Sequence, residues 1–382
     1  MPIRVTFVQP YLPAYRAPVY RALAAEPGID FTLVHASTPW LPNVPADGFR
    51  AIEEPMRIVH VASHPLYWQP SYWRHAVASE CDVFCAMWDV HYAPMVVPAL
   101  RRAKRQGVGT VLWGQGYSRQ ESWLRRRPRA LMAHAADALV FYNDTGRDLF
   151  VADGFDPARM FVAYNSLDTT RIDAAIAAFD AERLTAFHRE HGLDGRPIAL
   201  CVARLFPDRK ADRLIEAAAR LWATGVRFRV VFVGSVEEPY GATLRALIAE
   251  WGLQDCVRFE PGSYDEMTLA GWFLSSRAFA FPSFAGLSLH HALAYSLPVL
   301  CTDRLNANHP EIEALEPGVN GLTYRDGDVD DFAKQLGRML TDDALFTHLR
   351  ANARRAIDER FNIRRMVRGF VDAIRYANDR RS

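Results

Sequence analysis

The chain has 382 residues; 50% are hydrophobic, 23% are charged, and 45 Lys and Arg against 44 Asp and Glu leave a net charge of +1. This length exceeds a single ordinary hydrophobic core and predicts two domains, in a composition typical of folded globular proteins. The balanced charge excludes a chain that is strongly basic as a whole, so nothing indicates a nucleic-acid partner.

The first half of the chain alternates short apolar runs with helical patterns such as APVYRALAAE and APMVVPALRRAKRQG. The apolar runs are continuous, which is typical of parallel strands buried on both faces of a sheet. We therefore predict strands at IRVTFV, DFTLVH, RIVHVA, DVFCAM, GTVLWG, ALVFY and MFVAYN.

The same rhythm restarts after a polar helical stretch at residues 169–195, and we place the domain boundary near residue 190. The second series of predicted strands is RPIALCVARL, FRVVFVG, VRFEPG, AFAFPS, PVLCTD and GLTY. Two such series predict an α/β protein with two doubly wound Rossmann-like domains, 1–190 and 191–365. We predict a C-terminal helix at residues 366–382. One option is that this helix crosses back to the first domain.

Five cysteines are scattered along the chain without a CxxC pair, and three of them lie in predicted strands. This pattern favours buried free thiols over a zinc site, and a reducing, cytoplasmic compartment. The N-terminal stretch lacks the apolar region and cleavage site of a signal peptide. No run reaches 18 apolar residues, so the sequence predicts no membrane-spanning helix.

The loops that follow the predicted strands are the places to look for chemistry, because open α/β sheets bind ligands beyond the carboxyl ends of their strands. Two facing domains would place these loops in a cleft between them. Arg204, Arg209 and Lys210 follow one strand and precede a helix, which suits a diphosphate; a solvated basic loop is the alternative. Gly234 and Ser235 end the next strand, where a glycine permits close approach of a ligand.

A third loop, in FPSFAGLSLHHALAYS, leads from a strand into a helix. We expect the backbone N–H groups near Gly286, Leu287 and Ser288 to point at a ligand. His291 lies about one turn into the helix and is expected to reach that ligand, with a half-buried structural histidine as the alternative. His290 points about 100° away and is predicted to be structural, since chelating pairs are spaced His-x3-His.

Four segments of the second half together resemble the nucleotide-sugar domain of GT-B glycosyltransferases, in particular the large family 4 of retaining enzymes. They are VARLFPDRKADRLIEA, VVFVGSVEEPYGATLRALIAEWGLQDCVRFEPG, FPSFAGLSLHHALAYSLPVL and EIEALEPGVNGLTY, and they cover most of residues 197–325. The resemblance implies transfer of a sugar from a nucleoside-diphosphate sugar to a hydroxyl, with retention. It assigns Arg204 and either Arg209 or Lys210 to the diphosphate, and it places Pro261 and Gly262 on the donor side.

The E-x7-E motif of that family is altered in this chain. The register of HALAYSLPV places His291 at the second glutamate, which the family uses near the ribose, and Ser283 at the first, near the reacting sugar. Ser296 replaces the usual glycine. Some members read VGLxxxHALxYGxPV, so the resemblance implies a subgroup. The alternatives are a non-catalytic sugar-nucleotide-binding or partner protein of GT-B fold, or a GT-B-like sugar epimerase or phosphorylase.

The first half resembles the family more loosely, through FVQPYLPAYRAPVYRALA, VLWGQGYSR and DALVFYNDTGRDLFVADGFDPARMFVAYNSLD. Its acceptor-side candidates are Arg16, His91, Trp113 and Gln115, each with an ordinary structural role as the alternative. The acceptor is expected to be a glycan, lipid-linked or small-molecule hydroxyl. No cofactor is expected, because no Asp-x-Asp sits at a predicted strand end and the cations could stabilise the diphosphate.

Two basic runs in the first half, RRAKRQG and WLRRRPRALMAHA, suggest peripheral contact with an anionic membrane on its inner face. The second run also contains Trp123, Leu124, Leu131 and Met132, a mixture suited to a helix at a headgroup interface. A solvated basic face whose apolar side packs in the core is the alternative.

Overall fold

The computed structural model describes residues 1–38, 42–61, 64–117, 123–304 and 309–381. The chain forms two compact units, one of Met1–Asp168 with Asn362–Ser382 and one of Thr169–Phe361. The helical stretch that we took as the end of the first domain groups with the second unit, so the division falls at its start rather than near residue 190. No helix in the described ranges is long and apolar enough to cross a membrane.

The first unit is built around a parallel sheet in which the described strands follow the order β3-β2-β1-β6-β7-β8-β9. Its strands are β1 (Ile3–Gln9), β2 (Ile29–His35), β3 (Arg50–Glu53), β4 (Arg57–Val61), β5 (His64–Trp68), β6 (Val83–Met87), β7 (Gly109–Gly114), β8 (Ala138–Phe141) and β9 (Met160–Val162). Its helices are α1 (Ala17–Ala24), α2 (Ser71–His75), α3 (Ala93–Arg105), α4 (Trp123–Ala135), α5 (Asp144–Ala152) and α14 (Ile363–Asp379).

Six of the seven apolar runs predicted for this half lie in the parallel sheet, as their continuous burial requires. RIVHVA forms a strand, β4, as predicted, but its assignment to the parallel sheet is wrong, because β4 pairs antiparallel with β5 in a separate hairpin. The adjacent run HPLYW offers β4 a local partner, and the described side chains of β4 are exposed. The sheet gains instead β3, in which two of the four residues are charged and three are exposed, as suits an edge strand.

The last helix, α14, packs against β7, β8 and β9 of the first unit. Two glycines permit this close packing. A side chain at Gly109 would collide with the backbone of α14 at Ala377, and one at Gly369 would collide with the backbone of β9 at Val162. The C-terminal helix therefore belongs to the first unit, although the intervening residues belong to the second.

The second unit has a parallel sheet with the order β12-β11-β10-β13-β14-β15 among the described strands. All six runs predicted for this half are found in it: β10 (Ile198–Val202), β11 (Arg229–Val233), β12 (Val257–Glu260), β13 (Ala278–Ala280), β14 (Val299–Thr302) and β15 (Gly321–Tyr324). Its helices are α6 (Thr170–Ala178), α7 (Ala181–Glu190), α8 (Ala211–Ala223), α9 (Tyr240–Glu250), α10 (Glu266–Ser275), α11 (Leu287–Ala294), α12 (Val329–Thr341) and α13 (Asp343–Glu359).

The strand order reverses beside β10 in the second unit. The chain moves outward from β10 to β12 and then returns to β13 on the other side of β10. Ligands of such sheets bind at this reversal, beyond the carboxyl ends of the strands. The loops after β10 and β13 are therefore the candidate site of this unit. All five cysteines are free and buried.

Candidate functional site

The loops after β10 and β13 meet at one edge of the second sheet, because Leu200 of β10 pairs with Phe279 of β13. Arg209 joins them: its Nη1 donates to the carbonyl oxygen of Phe284 at 3.4 Å. The Arg209 guanidinium carbon also lies 5.9 Å from the centre of the Phe281 ring. Arg209 therefore borders the turn at residues 281–286 directly.

Arg204 and Arg209 flank the same aromatic ring. Their guanidinium carbons lie 5.6 Å and 4.9 Å from the centre of the Phe206 ring. Lys210 has a left-handed backbone with φ of 53°, and its Nζ lies 4.0 Å from Asp326 Oδ1, at the end of β15. The loop thus gathers three cations, of which Lys210 faces a carboxylate. This arrangement favours Arg209 over Lys210 for the cation position beside the turn.

The ends of β10, β11 and β12 approach one another at glycines. Gly234 has φ of 151°, and a Cβ there would collide with the carbonyl oxygen of Ala203. A Cβ on Gly262 would lie 3.3 Å from the Gly234 Cα and 3.4 Å from the Ser235 nitrogen. Ser235, Pro261 and Gly262 are exposed, so this backbone is open to a ligand.

The start of α11 offers backbone donors. Among the described residues, no hydrogen bond uses the N–H groups of Gly286, Leu287 or Ser288. The first N–H groups of a helix have no partner within the helix and carry a partial positive charge, which suits an anion. Ser283 is buried before this turn, and its Oγ has no hydrogen-bond partner in the part of the chain that the structure describes.

The two histidines of α11 have different surroundings. His290 is fully buried, and its ring centre lies 5.0 Å from that of Phe361. Burial lowers the pKa of His290 to about 3, opposed by the backbone of Glu311. His290 is therefore a neutral core residue, in the role that the helical spacing predicts.

His291 is paired with a carboxylate from another helix. Its Nε2 lies 2.7 Å from Oε1 of Glu266, the first residue of α10, and the same oxygen accepts a hydrogen bond from the Tyr295 hydroxyl at 2.6 Å. The side chains of His291 and Glu266 are each 19% exposed. Burial acts to raise the pKa of Glu266, but the hydrogen bond and charge of His291 outweigh it, so the pKa lies below its ordinary value.

In the first unit, His91 is held by Asp89 beyond the end of β6. Asp89 Oδ1 accepts a hydrogen bond from the His91 backbone N–H at 2.9 Å and lies 2.6 Å from Nδ1 of the His91 ring. Burial acts to raise the pKa of Asp89, but the bonds from His91 outweigh it and the pKa is lowered. Both side chains are partly exposed. Asp89 therefore fixes the orientation of an accessible imidazole.

The other acceptor-side candidates lie deeper. Trp113 is buried in β7, with its ring 4.8 Å from that of Phe370, which favours the structural alternative. Arg16 is also buried, with its guanidinium carbon 5.1 Å from the Trp113 ring and 5.4 Å from the Tyr142 ring. Gln115 is half-buried after β7. Of these candidates, His91 and Gln115 are partly exposed, whereas Arg16 and Trp113 are buried.

Residues 185–356, which lie within the second unit, match the family model described as glycosyl transferases group 1. This match covers most of the second unit. The whole chain is similar in structure to a glycosyltransferase from Rickettsia africae, with a TM-score of 0.76, 14% identity and 98% of each chain covered.

Two further solved structures show the same fold. Anabaena HepE, in complex with UDP, gives a TM-score of 0.73 at 16% identity, with 97% of this chain and 98% of that chain covered. The lipopolysaccharide outer core galactosyltransferase WaaB gives 0.71 at 15% identity, with 97% and 99% covered. The chain thus has the GT-B fold, as its sequence predicts. A comparison with curated proteins finds no match.

The sequence analysis did not identify two carboxylates, Glu266 and Asp89, that lie beside the candidate histidines. Glu266 lies 25 residues before His291, and only the fold brings them together. The available signal was an acidic residue at the start of a helix, directly after a strand-end loop. Asp89 lies two residues before His91, where a side chain that caps the turn can also reach the imidazole.

The residues from which a membrane contact was predicted have different surroundings in the structure. Leu131 is exposed, but Met132 is fully buried in the core, so Met132 was wrongly assigned to an interfacial surface. Lys104 of the other basic run pairs with Asp137 at 2.7 Å. The side chains of Trp123 and Leu124 lie outside what the structure describes.

Proposed function

We propose that this protein is a glycosyltransferase that takes a sugar from a nucleoside-diphosphate sugar and transfers it, with retention at the anomeric carbon, to a hydroxyl of a glycan, lipid-linked or small-molecule acceptor. The observation that carries the proposal lies in the loop between β10 and α8, the donor loop. Arg209 contacts the turn that leads to the unused N–H groups of α11, and Arg204 flanks the same Phe206 ring as Arg209. All of them are at the strand reversal where such sheets bind ligands.

The donor loop can stabilise a leaving diphosphate. When the bond between the anomeric carbon and the phosphate oxygen breaks, the electron pair stays on that oxygen. The acceptor oxygen forms the new bond to that carbon and passes its proton to an oxygen of the departing diphosphate. Guanidinium groups and backbone N–H groups already aimed at the diphosphate stabilise the developing charge without reorganisation.

The nucleoside side of the proposed site is formed by His291. Its Nε2 faces the Glu266 carboxylate, which leaves Nδ1 to form a hydrogen bond with a ribose hydroxyl. No described hydrogen bond uses Nδ1. In this interpretation Glu266 replaces the missing second glutamate of the family motif indirectly, by orienting a histidine.

A non-catalytic nucleotide-sugar-binding protein remains the second candidate, because neither glutamate of the family motif is present. The first test is nucleotide binding, measured by thermal shift with UDP, GDP, ADP and dTDP. UDP is the first nucleotide to try, because the HepE structure contains UDP. A nucleotide at 100 times its dissociation constant adds about 2.7 kcal/mol to the free energy of unfolding. No shift with any of the four would remove the basis of both candidates.

A further inference from the structure

The first unit contains a groove that the donor chemistry does not use. It has a volume of about 590 Å³ and lies between the end of β5, α2 and α3. Its walls include Trp68, Trp73, Pro94 and Pro98. The two tryptophans are 50% and 49% exposed. Two half-exposed tryptophans beside prolines form an apolar surface of the kind that marks a binding site.

The apolar surface continues onto the β4–β5 hairpin. Arg57 pairs with Trp68 and Val59 with Leu66, and alternate residues of these strands share a face. Val59 is 47% exposed. The face that carries Trp68 therefore carries a second exposed hydrophobic side chain and a cation, which extends the groove along the hairpin.

The groove carries an excess of positive charge. Arg102 lines it, with its guanidinium carbon 4.4 Å from the Trp73 ring, and no described carboxylate lies within ion-pair distance of it. Arg74 also lines it and pairs with Glu54 at 2.6 Å. Among the described residues, none that lines the groove is acidic or an amide.

This chemistry selects among occupants. An oligosaccharide is bound by hydrogen-bond acceptors and donors around an aromatic face, and the described lining offers guanidinium donors without carboxylate or amide acceptors. A hydrocarbon chain gains from contact with the tryptophan and proline surfaces, and an attached phosphate gains from the guanidinium groups. The groove therefore matches a lipid phosphate.

The groove begins close to the acceptor-side candidate His91. Pro94 stands three residues after His91, at the start of α3. Tyr67, the neighbour of Trp68, has its ring 5.8 Å from that of His91 and 4.8 Å from that of Tyr92. Because Tyr67 and Trp68 point to opposite faces of β5, His91 lies near the same strand as the groove, on the face that carries Tyr67.

We propose that this groove binds the hydrocarbon chain and phosphate of a lipid phosphate, and that the acceptor is lipid-linked. The acceptor role rests on the proposed function, whereas lipid binding does not. The first experiment is titration of the whole protein with farnesyl phosphate, in parallel with farnesol, inorganic phosphate and maltopentaose. Farnesyl phosphate should bind more tightly than farnesol or phosphate alone, and maltopentaose should not bind.

Groove variants locate the binding. Trp73→Ala should weaken farnesyl phosphate binding by about tenfold through lost apolar contact, and Arg102→Gln by a similar factor through the lost charge. The matched control is Trp251→Ala in the second unit, which should bind as wild type does. Thermal shift by UDP should be unchanged in all three variants, which separates this inference from the donor site.

Unchanged farnesyl phosphate affinity in a Trp68→Ala, Trp73→Ala double variant that melts as wild type does would overturn the proposal. Equal binding of farnesol and farnesyl phosphate would remove the phosphate role, and tighter binding of maltopentaose would replace the lipid with a glycan. Lipid binding without any nucleotide binding would contradict the proposed function and leave the groove assignment standing.

Discussion

His291 has a carboxylate partner that the sequence motif does not contain. In the register that the sequence resemblance implies, His291 stands where the family has a glutamate, and the structure places Glu266 of α10 beside it. The division of roles between His290 and His291 could be predicted, because adjacent helical residues point about 100° apart. The Glu266 contact could not, because it depends on how two helices pack.

Glu266→Gln should weaken nucleotide binding by about 1–2 kcal/mol, the scale of a charged hydrogen bond that becomes neutral. Isothermal titration with the tightest nucleotide measures this, across a pH series. Glu266→Asp should restore part of the affinity. The exposed Glu250→Gln on α9 is the matched control and should bind as wild type does. Loss of stability with unchanged affinity would make Glu266 purely structural.

His290 should make stability depend on pH. Its pKa falls from 6.5 to about 3 on burial, so between these values the unfolded chain binds a proton that the folded chain does not. The free energy of unfolding therefore falls as pH falls, by about 1.4 kcal/mol per pH unit from this residue. Urea unfolding between pH 7 and pH 4 measures the slope. His290→Phe should reduce this slope by about 1.4 kcal/mol per pH unit. An identical slope in the variant would contradict the assignment of His290 as a neutral core residue.

At the scale of elements, the donor loop between β10 and α8 carries the charge of the proposed site. Sequence reasoning left Arg209 and Lys210 undecided, because they are adjacent in the chain. The structure separates them: Arg209 borders the turn at residues 281–286, and Lys210 lies near Asp326. The left-handed backbone at Lys210 is what turns the two side chains apart, and no propensity argument assigns that conformation to a lysine.

Arg209→Ala and Arg204→Ala should each lower kcat/KM for the nucleotide sugar at least about thirtyfold, because each removes a cation that faces the leaving group. This factor corresponds to a loss of about 2 kcal/mol of transition-state stabilisation. Lys210→Ala should cost less than Arg209→Ala. Arg227→Ala, exposed at Trp222 in the same unit, is the control. Steady-state kinetics on all four variants provide the comparison, and a larger loss for Lys210→Ala than for Arg209→Ala would reverse their order.

Continuous apolar runs made most of the strands predictable. All six runs predicted for the second unit are strands of its sheet, including β12, whose sequence VRFE contains two charged residues and is mostly half-buried. β3 was not predicted, because its residues are mostly exposed at the sheet edge. The RIVHVA run was given to the sheet because its composition resembles that of a buried strand, yet its antiparallel partner β5 keeps it in a hairpin.

At the scale of the whole molecule, the two units share one fold type and contain different sets of candidate residues. The donor-side candidates belong to Thr169–Phe361, and the acceptor-side candidates belong to the unit that α14 completes. The order of strand runs was enough to predict two Rossmann-like sheets. The exact division was not, because α6 and α7 are polar helices whose sequence does not show which sheet they accompany.

Chelation should leave activity in place. In the proposed mechanism Arg204, Arg209 and the α11 N–H groups neutralise the leaving diphosphate, so a divalent cation is not required for that step. The rate of nucleotide release should change by less than about twofold in excess EDTA. Loss of activity that added Mg²⁺ or Mn²⁺ restores would show that a metal shares the diphosphate with these cations.

The central claim is that the donor loop makes this chain an enzyme and not only a binding protein. The most direct measurement is release of free nucleotide from UDP-glucose and a panel of other nucleotide sugars, with wild type beside Arg209→Ala. We predict slow hydrolysis of at least one donor without added acceptor, and a rate at least about thirtyfold lower in the variant. Tight nucleotide-sugar binding without any release, under any acceptor tried, would contradict the account and establish the non-catalytic alternative.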